Sequence, residues 1–148
     1  MSRPVAARPR AFYDFPAIYD ALHLADTPAE ASVVVDLVAR HGRGGRDWLE
    51  PACGTGRHLS FLAGLGFRMT GYDINPRALA FARRRLAGAK ATVVKAGMTD
   101  FKAPDCFDAA FSLIGTFRHL LSQREALKHL RLTAQALRAG GVYIVGLD

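Results

Sequence analysis

LEPACGTGRHL, residues 49–59, closes an apolar run with a carboxylate and a proline, passes through five small residues, and then turns apolar again. Gly54 and Gly56 let a chain reverse sharply and bring backbone N–H groups close to a ligand. Ala52 and Cys53 keep the surface beneath that ligand low. Glu50, at the end of the run, can accept hydrogen bonds from a donor such as an ammonium group. Strand, glycine loop and helix in succession make a turn suited to a ligand, and the flanking elements decide what sheet it belongs to.

Working outward, helical and strand patterns alternate. TPAE at 27–30 reads as a capping box with Pro28 at the first helical position, Ala31, Val34, Val35 and Val38 on one face, and Gly42 as the stop. DWLE is a short strand, and the helix after the glycine loop buries Leu59, Leu62 and Ala63. FRMTGYD is a second strand, and Asn75 and Pro76 start a helix with Leu79, Ala82 and Leu86 inward and Gly88 as its stop. ATVVKAG and DAAFSLIG are the third and fourth strands. SQRE at 122–125 caps a helix whose stripe is Leu127, Leu130, Ala134 and Leu137 and which stops at Gly140 and Gly141; VYIVGL is the fifth strand. Such alternation predicts an α/β fold, a doubly wound, mostly parallel open sheet of five strands with N-terminal helices. The β-branched runs at 92–94 and 142–145 suit strands buried on both faces. Ligands of such sheets bind beyond the carboxyl ends of the strands, where the opening stretch sits.

The bulk properties bound the reading. With 148 residues, half of them hydrophobic, the chain supports one folded domain, expected at 11–148, behind a flexible basic tail at 1–10. No apolar run reaches the ~20 residues of a membrane span, and MSRPVAARPR lacks the apolar core of a secretory signal. Cys53 and Cys106 make neither a disulfide framework nor a metal-ligand spacing, and a cytoplasmic location is expected. The net charge of +7 admits nucleic acid as a partner without indicating it, because Arg83, Arg84 and Arg85 read as a solvated helix face and no aromatic-basic motif accompanies them.

Asp73 ends the second strand, where one carboxylate can bind two ribose hydroxyls; a helix-capping acid is the other reading. A glycine loop followed about twenty residues later by an acid occurs in dinucleotide folds and in adenosyl-cofactor folds. The dinucleotide pattern needs glycine three residues after Gly56, where this chain has Leu59, and a diphosphate is poorly served by the Glu50 carboxylate. A cofactor carrying an amino acid and a ribose, without phosphate, fits better.

Here the chain resembles the class I S-adenosylmethionine-dependent methyltransferases. LEPACGTGR is similar to that family's first motif and GYDIN to its second; AGMTDF, FDAAFSLIGTFRHLL and LRAGGVYIVGL fall at later motifs in the right order. The resemblance implies S-adenosylmethionine as cofactor and S-adenosylhomocysteine as product. It implies Glu50, Ala52, Cys53, Gly54 and Gly56 around the methionine part, and Asp73 and Ile74 at the ribose and adenine. Gly97 and Met98 would face the adenine, with Leu113 at the end of the fourth strand. Tyr13 and Tyr19, on an N-terminal helix like one that covers the cofactor in relatives, and Arg118 and His119, after the fourth strand, become substrate-side candidates; packing and surface roles stand beside these. Neither His41 nor His58 has metal-site spacing, no metal is expected, and Cys53 reads as a small packing residue rather than a nucleophile.

This chain departs from the family's pattern in three places. Ala52 stands where glycine is usual, and Gly97 where many relatives have an acid, with Asp100 three residues later. The family's usual C-terminal strand hairpin is lacking, so a fragment, or a homodimer covering the edge of the fifth strand, is expected. The implied activity is in-line methyl transfer to a small-molecule acceptor, since SLIGTF lacks the Asn/Asp-Pro-Pro-aromatic pattern of base-amino methylases. No catalytic residue is assigned. The competing readings are a cofactor-binding module without activity and, third, a nicotinamide-dinucleotide protein.

Overall fold

The computed structural model describes residues 12–147; the expected tail at 1–10 lies outside the described residues. Five parallel strands form one sheet: β1 (Asp47–Pro51), β2 (Arg68–Asp73), β3 (Ala91–Lys95), β4 (Phe107–Ser112) and β5 (Leu137–Val145), in the order β3-β2-β1-β4-β5. The helices are α1 (Pro16–His23), α2 (Thr27–His41), α3 (Arg57–Gly64), α4 (Pro76–Arg85) and α5 (Gln123–Ala136), with single 3-10 turns at Phe12–Asp14, Leu24–Asp26 and Thr116–His119. From β1 the chain winds outward through β2 to β3, then crosses back to lay β4 on the other side of β1. That reversal places the switch point of the sheet between β1 and β4, where a ligand crevice opens at the carboxyl ends.

One face of the sheet packs Trp48, Met69, Ala109 and Phe111 against α2, α3 and α4 through Val34, Leu59, Leu62 and Ala82. The opposite face is built on Leu49, Tyr72 and Ala110, covered by α5 and by the segment at 96–103, where Phe101 stacks on Tyr72 at 4.5 Å between ring centroids. Each fully buried Leu or Phe contributes about 1.5–3 kcal/mol relative to exposure. Asn75 caps α4 by accepting from the backbone N–H groups of Arg77 and Ala78, as its position before Pro76 predicts.

Several sequence expectations are corrected. Strands β3 and β5 are the outer strands, with Thr92 and Val94 exposed, so their β-branched runs line an edge; the strands buried on both sides are β1 and β4. On α5 the buried row is His129, Thr133 and Ala136, one residue off the expected stripe, while Leu127 and Leu130 are exposed. One residue is about 100° of helix rotation. The inward row is selected by hydrogen bonds: His129 Nδ1 lies 2.8 Å from the Met98 carbonyl and Nε2 2.8 Å from the Tyr143 hydroxyl. The helix ends at Ala136, and Leu137, Gly140 and Gly141 belong to β5, which carries a register shift opposite Phe107 and Ala109. TPAE is no capping box: Asp26 precedes α2, and Thr27 and Glu30 both accept from Arg57. Arg85 leaves the solvated face expected for it and pairs with the buried Asp20.

Candidate functional site

Strand β1 ends in Glu50 and Pro51, and the chain then turns under the carboxyl edge of the sheet. Cys53 N–H donates to the Tyr72 carbonyl at 2.9 Å, tying the loop to β2, and Gly56 N–H donates to the Cys53 carbonyl at 3.0 Å. Gly54 and Gly56 have φ of 53° and 73°, and so does the non-glycine Ala52, at 50°. A Cβ on Gly54 would meet no atom within 4 Å, so this glycine borders open space. One on Gly71 would lie 2.6–2.7 Å from Leu59 and Cys53. Close packing of loop on strand therefore rests on a glycine in β2 facing Leu59, a reversal of the dinucleotide pattern's glycine on the helix.

Asp73 fastens the loop from the next strand. Its Oδ2 accepts from Gly54 N–H at 2.9 Å and its Oδ1 from Asn75 N–H at 2.8 Å. A carboxylate offers about four lone-pair sites, so both oxygens keep capacity for hydroxyl donors. Below the loop, Glu50 is 6% exposed. Its Oε1 meets His58 Nδ1 at 2.8 Å, and its Oε2 is buried without a partner among the described residues. Burial pushes the Glu50 carboxyl up, opposed by His58. An orphaned buried carboxylate oxygen costs free energy unless a donor completes it.

These residues border a cleft of about 640 Å³. Of the expected cofactor residues, Glu50, Ala52, Cys53, Gly54, Asp73 and Ile74 line it, and so do Gly97, Met98 and Leu113. Gly56 does not; it starts α3, and a Cβ there would lie 3.1 Å from Ala82, so its place is in the turn and its packing on α4. Ile74 and Met98 supply apolar walls. At Gly97 a Cβ would lie 2.6 Å from Asp100 Oδ2, so the Asp100 side chain takes the room beside the glycine and presents a carboxylate to that wall. Burial, then the Glu50 and Asp73 charges, hold the Cys53 thiol well above its ordinary value, which suits a packing residue and not a nucleophile.

Across the cleft, Tyr13 and Tyr19 line the N-terminal side and His119 the β4 side, with Tyr13 Oη 3.4 Å from His119 Nε2. Arg118, on the same 3-10 turn, is not a lining residue. The N-terminal segment is pinned in place three times. Asn75 Nδ2 donates to the Tyr13 carbonyl and to Asp14; Asp20 accepts from Thr55 Oγ1 and Arg85; Arg57 donates to Thr27, Glu30 and the His23 carbonyl. Sequence reading missed Arg57, His58 and Thr55. Apart from His58 with Glu50, their partners lie 27 to 35 positions away along the chain, as in Arg57 with Glu30 and Thr55 with Asp20. The sequence signal for Asp100 was its spacing from Gly97. Ile114, at φ 55° beside Gly115, also lines the cleft and carried no signal at all. Among the described residues no group of three His, Cys, Asp or Glu side chains is placed to hold a metal ion.

An open parallel sheet with a glycine-loop cleft at its switch point and acids ending β1 and β2 defines the class of protein. Within it, the chain matches the methyltransferase-domain family over residues 49–141, and it belongs to that family. It is 32% identical over 144 residues to the dTDP-3-amino-3,6-dideoxy-alpha-D-glucopyranose N,N-dimethyltransferase of Streptomyces fradiae, covering 94% of this chain and 56% of that protein. With the dTDP-3-amino-3,4,6-trideoxy-alpha-D-glucopyranose N,N-dimethyltransferase of Streptomyces venezuelae it shares 31% identity over 135 residues, 89% of this chain and 56% of the relative. The sugar N-methyltransferase KedS8 from a Streptoalloteichus species superimposes with a TM-score of 0.81 at 28% identity, covering 98% of this chain and 58% of that one. The chain thus spans a little over half the length of the relatives it matches.

Proposed function

We propose that the cleft binds S-adenosylmethionine and that the chain serves methyl transfer to a small-molecule amine, with an amino sugar as the acceptor class suggested by the relatives. The observation that carries this reading is the buried, unpartnered Glu50 Oε2 beside a glycine loop braced by Asp73. Glu50 would take the ammonium group of the cofactor, and the remaining lone pairs of Asp73 the ribose hydroxyls. Ile74 and the backbone at Gly97 and Met98 would border the adenine, with Asp100 supplying a carboxylate on that wall. When bound, S-adenosylmethionine supplies an electrophilic methyl group on a sulfonium, so the chain's own part is orientation and exclusion of water. Tyr13 and His119, in contact across the cleft, would be the side chains to meet an amine acceptor and to take its proton. No helix among the described residues is long and apolar enough to cross a membrane.

Calorimetry with S-adenosylmethionine and S-adenosylhomocysteine, run beside a turnover assay on dTDP-linked amino sugars, tests the reading. Binding of both ligands and methylated product are expected; failure of either ligand to bind rejects it. A second reading is a cofactor-binding module without activity in this chain, which spans 56% of the relatives' length. Binding without turnover on any amino sugar would select it. NADH binding would instead revive the dinucleotide reading. A homodimer closing along the outer edge of β5 belongs to the same proposal, and a monomer in sedimentation equilibrium at high concentration rejects it.

A further inference from the structure

His58 stands between two acids. Its Nδ1 lies 2.8 Å from Glu50 Oε1 and its Nε2 2.7 Å from Glu30 Oε2. At such distances each contact needs a proton, because a ring lone pair facing a carboxylate lone pair is repulsive. A neutral imidazole carries one N–H and two carboxylates carry none, so the geometry demands one proton more. That proton has two possible seats, the ring and the Glu50 carboxyl that burial pushes up; the ring faces both acids, and the chain is assigned an imidazolium bridging two carboxylates. Burial opposes that charge, but Glu50 and then Glu30 outweigh it and keep His58 above its ordinary value of 6.5.

The groups facing this chain come from every neighbouring element: Arg57 of α3 beside Glu30, Tyr19 of α1, Asp73 of β2 and Cys53 of the loop, with the Phe111 ring of β4 edge-on at 5.8 Å. In the immediate cluster Arg57 and His58 balance Glu30 and Glu50. Among the described residues, the buried acceptor without a partner in this cluster is Glu50 Oε2, the site proposed above for the cofactor ammonium. A third cation there shares Glu50 with the imidazolium in a water-poor setting, where like charges repel strongly.

Resting on the S-adenosylmethionine reading, we infer that His58 is a positioning residue that gives up its extra proton to solvent when a cofactor ammonium reaches Glu50, so that binding releases a proton and weakens as pH falls. The ring keeps its Nδ1–H toward Glu50, the Nε2 contact with Glu30 lengthens, and Arg57 remains as the partner of Glu30. The cofactor floor is thereby linked to α2 and to the N-terminal segment that Arg57 anchors.

Calorimetry of S-adenosylmethionine binding in phosphate and in Tris, near neutral pH, reads the released protons directly. About one proton per cofactor is expected between the bound-state and the free-state values of His58, and across that window the dissociation constant rises about tenfold for each unit the pH falls. His58→Gln should remove both the buffer dependence and the pH slope. Should that variant fail to fold, nitrogen NMR of the wild-type imidazole gives the same answer: both ring nitrogens protonated in the free chain, one in the complex. Equal apparent enthalpies in the two buffers, or a neutral His58 in the free chain, overturn the inference alone. Absence of any binding overturns the cofactor reading and this inference together.

Discussion

At Ala52 the backbone sits at φ 50°, in the left-handed region that favours glycine. The alanine is accommodated because the loop is held on both sides, by Cys53 N–H on the Tyr72 carbonyl and by Gly54 N–H on Asp73. Ala52→Gly should relieve the strain and raise stability by ~0.5–1 kcal/mol, less what the added freedom of the unfolded chain removes. A lower melting temperature in the variant would refute a strained loop. Asp73 does two things in the same loop, bracing backbone N–H groups and offering the cleft its remaining lone pairs. Asp73→Ala should weaken S-adenosylmethionine binding by ~1–3 kcal/mol and destabilise the fold besides, since Gly54 and Asn75 lose their acceptor. An unchanged dissociation constant would remove Asp73 from the cofactor site. Gly54, Gly56 and Asp73 could be picked out from spacing alone. His58 and Arg57 could not, because what makes them matter is Glu30, on a helix that precedes the sheet.

The loop and the elements around it stay in register through close contacts of particular residues. Gly71 in β2 lets Leu59 of α3 and Cys53 approach the strand, and Gly71→Ala should cost roughly 1–3 kcal/mol by overpacking, measured by urea denaturation. No loss would mean the loop has slack. On the other face, a chain of hydrogen bonds fixes the segment at 96–101. The Met98 carbonyl can only accept, so His129 donates from Nδ1, Tyr143 O–H donates to Nε2, and Ser112 O–H donates to Tyr143. Burial holds His129 below its ordinary value, in keeping with the neutral ring this chain requires, and pushes Tyr143 up to about 12. Tyr143→Phe leaves His129 Nε2 without a donor and should cost ~1–3 kcal/mol; undiminished stability would show that the relay contributes nothing. This network is why the leucine stripe misled: apolar periodicity finds a helix, but the inward row of α5 is chosen by partners on three other segments.

Across the whole molecule the two ends of the sheet differ. The carboxyl end carries the cleft and the pinned N-terminal segment; the amino end carries an ion-pair cluster. There Asp47 pairs with Arg68 and Arg138, and Asp108 with Arg43 and Arg138. Arg68, then Arg138, hold the Asp47 carboxyl down to about 2, against an ordinary 3.8. A depressed carboxylate contributes stability above its unfolded value and loses it as pH falls toward the folded one, so this contribution fades between about 4 and 2. Solvent at the rim screens the pairs, which limits the effect to about 1 kcal/mol. His129, also depressed, stabilises above 6.5 and loses that as pH drops through it. His58, raised, acts oppositely: its contribution is present below 6.5 and is lost as pH rises through its folded value. Thermal denaturation against pH should therefore show a shallow profile near neutrality and a steeper loss below about 4. Asp47→Asn should flatten that acid limb, and an unaltered limb would place the acid sensitivity elsewhere.

Residue order alone determined the alternation of elements, the parallel sheet, the glycine loop and the pairing of Glu50 with Asp73 at adjacent strand ends. These follow from spacing of a few residues and from periodicity, which neighbouring side chains set locally. Tertiary structure decided which strands are outermost, which row of α5 faces inward, and that Arg85 is buried in an ion pair with Asp20. It also decided that His58 bridges Glu50 and Glu30, the arrangement on which the proton-linked cofactor site rests. The reason is physical: a buried polar side chain takes its place from partners brought near by the fold, and no local pattern of the chain records them.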